Sequence, residues 1–203
     1  MRIGRIAAIG LALMVPVACV PTGDAPDATR AETLPAMRWD HLPQAERWTG
    51  AVMQALATDG EGLAETVPAD IGSFCPGYET ASMDDRRAFW AGLLSALAEH
   101  ESTWNPKAKG GGGRWIGLLQ IAPGTAKTYG CDLSGTGGLT NGAANLACAV
   151  RIATHQVTRD GAIVSDGADS GWRGVARDWA PMRKAAMRSD MAAWTRQQSY
   201  CTL

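Results

Sequence analysis

With 203 residues, 46% of them hydrophobic, the chain carries apolar material for one compact core plus tails and not for two domains. Nineteen basic against twenty acidic residues leave a net charge of −1, which excludes the broad basic face that tracking a nucleic-acid backbone demands. Eight tryptophans beside two phenylalanines and three tyrosines supply flat faces with a polar N–H, on which sugar rings stack well.

Residues 1–18 read as an export signal: Arg2 and Arg5 precede an apolar run over residues 6–17, too short to span a bilayer. Val15-Pro16-Val17-Ala18-Cys19 resembles the bacterial lipoprotein cleavage box, with Pro16 where leucine is usual. The resemblance implies a lipid on Cys19, a periplasmic location and membrane contact through that N-terminal anchor alone; cleavage nearby with release of a soluble protein is the alternative. Acylation of Cys19 would reduce five cysteines to an even four. Of the three possible pairings we expect Cys131 with Cys148, closing a short glycine-rich loop, and Cys75 with Cys201, pinning the C-terminus. A zinc site is the rival, but there is no Cys-x-x-Cys, and His41, His100 and His155 are not at ligand spacing; no metal and no cofactor is expected.

Residues 19–42, rich in Pro, Ala, Asp, Thr and Gly toward their start, read as a flexible tether, and residues 43–203 as the folded domain. Ala45, Trp48, Val52 and Leu56 have helical spacing, closed by Asp59-Gly60. A turn-rich connector over residues 73–78 leads to Ser82, which with Asp85 three residues later is a helix-start signature for a long helix to about Glu101. Asn105-Pro106 is a stop signal, and residues 110–113 form a flexible glycine loop. A second strong helix is predicted over about 141–156, with Leu146, Val150, Ala153 and Val157 on one face. After a loop at 166–171, a last helix over about 181–197 carries Met187, Met191 and Trp194. No alternating stretch of any length appears. The expected fold is mainly α, a single globular helical domain with few or no short strands.

On the helix from Ser82, Trp90, Leu94 and Leu97 form an apolar stripe, and Glu101 falls within about 40° of each of them. Its position in the last turn also sets it against the negative end of the helix dipole. Burial and dipole both push its pKa upward, as a general acid working near neutral pH requires. An ordinary solvated glutamate at a helix end is the alternative, and the surrounding sequence decides against it.

That surrounding sequence is Glu101-Ser102-Thr103-Trp104-Asn105-Pro106, then Gly117-Leu118-Leu119-Gln120-Ile121, then Pro123-Gly124-Thr125-Ala126. Over residues 82–157 these blocks, in this order, resemble the soluble-type lytic transglycosylases of the goose-lysozyme-like superfamily, whose active site begins with Glu-Ser and continues into Gly-Leu-Met-Gln. The resemblance implies an α+β lysozyme-like domain and peptidoglycan glycan strands as partner. It makes Glu101 the catalytic acid, with Ser102, Gly117, Leu119 and Gln120 beside the sugar cleft. Trp115 and Trp179 offer aromatic walls to the same cleft, and Arg114 a guanidinium for substrate carboxylates.

Most glycosidases pair two carboxyl groups. Here no Asp or Glu occurs between Ser102 and Cys131, and the next acid, Asp132, adjoins a cysteine in another loop. One acid suffices if the substrate's 2-acetamido group stabilises the developing cation, so that Glu101 serves first as acid and then as base and a 1,6-anhydro ring closes without water. A hydrolytic muramidase using Asp132 or another acid, and a non-catalytic glycan-binding scaffold, are the alternatives. The resembled family often carries a late Ala-Tyr-Asn; this chain has Ala176-Arg177-Asp178-Trp179-Ala180 there, with no phenol. A His-Glu zinc-protease motif is excluded because Trp104 stands where the second histidine belongs.

Overall fold

The computed structural model describes Met1, residues 34–165, Gly167 and residues 171–202. The export signal, the cleavage box with Cys19 and most of the tether lie outside the described residues, as does most of the loop expected at 166–171.

Among the described residues six α-helices and one small hairpin form the fold: α1 (Ala45–Leu56), α2 (Glu61–Glu65), α3 (Met83–Ser102), β1 (Lys109–Gly110), β2 (Trp115–Ile116), α4 (Pro123–Thr128), α5 (Gly142–Asp160) and α6 (Ala185–Arg196), with short 3-10 turns between them. The domain is mainly helical, as expected, and among the described residues its only sheet is the antiparallel pair β1–β2.

Helix α3 is the axis of the molecule. Its start is fixed by Ser82, whose hydroxyl accepts the Asp85 N–H at 3.1 Å. Every residue from Ala88 to Ala98 is buried, so over that stretch the helix has no solvent face, rather than the single apolar stripe expected. The reason is architectural: α1, α2, α6 and the C-terminal turn at Ser199–Cys201 all pack around it, and a helix enclosed on every side need not be amphipathic. Gly92 permits the closest approach, since a Cβ there would stand 2.2 Å from the Tyr200 Oη. Helix α5 is the second long element, packed on α1 and α2. Asn141 caps it by accepting the Ala143 and Ala144 N–H groups, and Gly161 ends it in the left-handed region.

The folded part begins before residue 43. Met37 and Trp39 are buried in the core, and the Trp39 indole donates to Thr49 Oγ1 at 2.9 Å. Two apolar residues flanking a charged Arg38 are too short a pattern to read as an element, yet a buried indole contributes about 2–3 kcal/mol. Two short helices, α2 and α4, also escaped the periodicity, because five or six residues make barely more than one turn. Both disulfides are present, Cys75–Cys201 and Cys131–Cys148. The first pins the C-terminal turn to the connector preceding α3, and the second ties the end of α4 to α5.

Candidate active site

Glu101 stands in the last turn of α3, just where the helix leaves the core and its residues become half-buried. The helix is stopped abruptly by Thr103 and Trp104, both left-handed at φ 52° and 55°. Two consecutive non-glycine residues in that region cost about 1–2 kcal/mol each, so the turn must be held from outside. The Trp104 indole does so, donating to the Ser95 carbonyl at 2.9 Å, while its ring meets His41 edge-on at 4.9 Å. The residues flanking Glu101 are gripped as well. His100 Nε2 lies 2.9 Å from Asp190 Oδ2, Arg38 donates to both Asp190 oxygens at 2.7 and 3.1 Å, and the Arg38 guanidinium pairs with Glu99.

Glu101 itself has neither ion pair nor hydrogen bond to its carboxylate among the described residues. Burial pushes its carboxyl from an ordinary 4.5 up to about 7, and the positive charge of Lys184 opposes this without reversing it. A carboxyl group thus placed keeps its proton to near neutrality, yet remains weak enough an acid to take a proton back.

Beyond the loop at 103–108, the hairpin turns through Gly111, Gly112 and Gly113, all at positive φ. It continues into residues 117–120, folded back so that Ile116 and Ile121 form a bridge. Gly117 is buried at φ 83°, and a Cβ there would lie 2.3 Å from the Leu139 carbonyl and 2.4 Å from Asn145 Nδ2, so what approaches its backbone is the protein itself. Asn145 binds this segment together from within the core. Its Oδ1 accepts the Leu119 N–H at 2.9 Å, and its Nδ2 donates to the Ile116 and Leu139 carbonyls, each at 3.0 Å. The Gln120 amide donates to Gly117 O at 2.8 Å and Ala108 O at 3.3 Å, which uses its donor to close the base of the hairpin.

A small open cleft of about 60 Å3 lies beside the hairpin, with Trp115, Gln120, Thr125, Asp178 and Trp179 in its wall. Trp115 is 43% exposed and carries the Arg114 guanidinium 4.9 Å over its ring. Trp179 is buried at 3% exposure, its indole donating to the Leu119 carbonyl at 2.9 Å. Gln120, Trp115 and Trp179 therefore come together. Leu119 is wholly buried, its N–H and carbonyl taken by Asn145 and Trp179, and the Ser102 hydroxyl bonds back to Ala98 O at 3.1 Å. Glu101 and Ser102 are not in the wall of this cleft; the loop at 103–108 joins them to the hairpin that forms it.

Two residues here escaped the sequence reading. Asn145 carried no local signal: it lies about 110° around α5 from the predicted face, on a second buried face that it shares with Gln156. Asp178 places a carboxylate in the cleft wall, held by Gln156 Nε2, which also donates to Tyr129 Oη at 2.9 Å. Its only local signal is the adjacent Trp179. Asp132, by contrast, caps a turn, accepting the Ser134 N–H at 3.0 Å, a bond that holds its carboxyl below the usual carboxylate range.

Residues 81–162, which hold Glu101, the hairpin and α5, match the family model of the transglycosylase SLT domain. The chain belongs to this family. It is also similar over most of its length to the solved structure of DslA (Bd0314) in its wild-type form 2, at 30% identity with a TM-score of 0.74, covering 84% of this chain and 100% of that one. Two variants of DslA, each with a glutamate changed to glutamine, match at the same identity and coverage with TM-scores of 0.74 and 0.73. No curated protein matches the chain. Membership of the SLT family implies a peptidoglycan-cleaving enzyme, and this together with two disulfides points to an exported protein.

Proposed function

We propose that this SLT-family protein is a lytic transglycosylase that cuts the β-1,4 bond between N-acetylmuramic acid and N-acetylglucosamine, with Glu101 as its one acid and base. The observation that carries the reading is a carboxyl with its pKa raised to about 7 by burial, at the point where the core helix surfaces. In the first step the Glu101 proton passes to the glycosidic oxygen, the C1–O bond breaks with its electron pair leaving on that oxygen, and the 2-acetamido group stabilises the cation. In the second step the muramyl 6-hydroxyl oxygen bonds to C1, and its proton goes to the Glu101 carboxylate, restoring the acid. The product is a 1,6-anhydro end, and water is not consumed. The glycan would run from Glu101 over the hairpin into the cleft, where Trp115 and Trp179 give apolar walls and the outer edge of Gln120 a polar one. Attachment to the envelope through Cys19, after removal of residues 1–18, belongs to the same proposal.

The test is digestion of purified sacculi by wild type and Glu101→Gln, followed by product masses. Anhydro ends that vanish in Glu101→Gln support the reading; reducing ends from wild type, or undiminished cutting by the variant, refute it. A variant that binds glycan and complements a deletion as well as wild type would leave a scaffold in place of an enzyme.

The position of Asp178 favours a second reading, a hydrolytic muramidase in which this carboxylate holds a water in the cleft. It requires reducing ends, and their loss in Asp178→Asn.

A further inference from the structure

A second and larger concavity, about 380 Å3 in volume, opens beside α6, and the mechanism above does not use it. Its wall includes Trp172, Arg188, Arg196, Ser73, Ser189 and Asp70. Trp172 is 44% exposed, although an indole left in water forgoes burial that a folding chain would ordinarily take. The Arg188 guanidinium lies 6.0 Å from its ring centroid and is fixed in place by donating to the Met182 carbonyl at 2.9 Å. Neither Arg188 nor Arg196 has an ion-pair partner among the described residues. The carboxylate in the wall is already engaged: Asp70 accepts the Ile163, Val164 and Ser165 N–H groups at 2.7, 2.8 and 3.0 Å. Its charge is directed into a backbone turn, and the two guanidiniums are left to define the chemistry of the pocket.

The pocket is distinct from the site at Glu101. Arg188, Ala192 and Arg196 recur every four residues and so share one face of α6, whereas Asp190, which grips His100 beside Glu101, lies about 160° around the helix from Arg188. The thickness of α6 separates the two. Arg188 and Arg196 stand about 12 Å apart along the axis, so one extended ligand segment can meet both.

We propose that this pocket is a second glycan-holding site that takes a muramyl residue whose lactyl carboxylate is free because its stem peptide has been removed, a proposal that rests on the peptidoglycan reading. An exposed indole stacks on a sugar ring, guanidiniums accept a carboxylate through paired N–H donors, and the Ser73 and Ser189 hydroxyls serve ring substituents. A neutral sugar would leave the guanidiniums unused, and an apolar peptide would leave them unpaired. Holding the strand here raises the local concentration of scissile bonds at the cleft without adding a contact to the reacting sugar.

The test uses the full chain carrying Glu101→Gln, with indole N–H signals followed by NMR and the Trp172 signal identified through Trp172→Phe. N-acetylmuramic acid is expected to move that signal, and N-acetylglucosamine, lacking the carboxylate, to bind roughly tenfold more weakly, the scale of one charged hydrogen bond. Arg196→Gln, at an exposed side chain, should erase the difference between the two sugars. On sacculi stripped of stem peptides, Trp172→Ala with Arg196→Gln should lower retention of the Glu101→Gln chain several-fold, and the same two changes in the active chain should leave cleavage of short soluble glycans at the wild-type rate.

An unmoved Trp172 signal, equal response to both sugars, or unchanged retention overturns the site. A response to free stem peptide with none to N-acetylmuramic acid overturns the saccharide assignment. The two readings fail separately: sacculi cut by wild type with Trp172 silent would sink this site alone, and a responsive Trp172 beside a wild-type chain that cuts nothing would sink the catalytic reading alone.

Discussion

Replacing Glu101 by glutamine is expected to abolish activity and to stabilise the fold, by an amount that grows with pH. Burial lifts the carboxyl from 4.5 to about 7 in the native state, whereas the unfolded chain titrates it at the ordinary value. Below pH 4.5 the proton is bound in both states, and the glutamate costs the fold nothing. Between 4.5 and 7 the unfolded chain releases its proton first, so the native state loses about 1.4 kcal/mol per pH unit, and above 7 the loss levels off at about 3 kcal/mol. Glutamine, like the protonated acid, carries no charge and escapes this loss. For a domain of this size about 3 kcal/mol corresponds to roughly 6–12 °C in Tm. Thermal unfolding followed by circular dichroism, with the disulfides oxidised, should give a difference between Glu101→Gln and wild type near zero at pH 4.5 and approaching that range at pH 8. The same pKa sets activity: the first step needs the protonated acid, so wild-type kcat/KM should fall as pH rises through about 7. A Tm difference that does not change with pH, a wild type more stable than the variant at pH 8, or a kcat/KM that does not decline across pH 7 would refute the buried-acid argument.

Lys184→Gln removes the positive charge that opposes the burial of Glu101, so the alkaline limb of the pH–rate profile should move to higher pH. Gly117→Ala, at φ 83° with the Leu139 carbonyl in the way, should cost about 3 kcal/mol or more in urea unfolding; Gly112→Ala, at φ 71° in open space, should cost only the about 1–2 kcal/mol of left-handed strain. Asn145→Ala leaves one N–H and two carbonyls of the hairpin segment without their partner and should destabilise by about 3 kcal/mol, measured the same way. Opening Cys75–Cys201, which spans 126 residues, should cost about 5 kcal/mol by loop entropy against about 3 kcal/mol for Cys131–Cys148 across 17, compared through paired alanine variants.

Much of the fold was legible because its signals are local. Ser82 and Asn141 announce helix starts by offering an oxygen to backbone N–H groups one turn on, whereas α5 runs on to Asp160, past the end near 156 that periodicity predicted. The Glu101-Ser102 and Gly117 to Gln120 blocks were legible through their resemblance to the motifs of a known family, which are written in consecutive residues.

What the sequence could not show was set by atoms far apart in the chain. The enclosure of α3 on all sides, the packing of Met37 and Trp39, the Arg38–Asp190 pair across 152 residues and the Trp179–Leu119 bond across 60 all depend on which elements meet. Asp178 enters the cleft wall, and the Gln120 donor turns inward to the hairpin, for the same reason. The sequence by itself determined the helical class, through capping and periodicity that act within a few residues, and which glutamate to examine, through the resemblance of the short blocks around it to a family's motifs. Only the tertiary structure decided how much water that glutamate loses, because desolvation is a property of the assembled core and not of any segment of it.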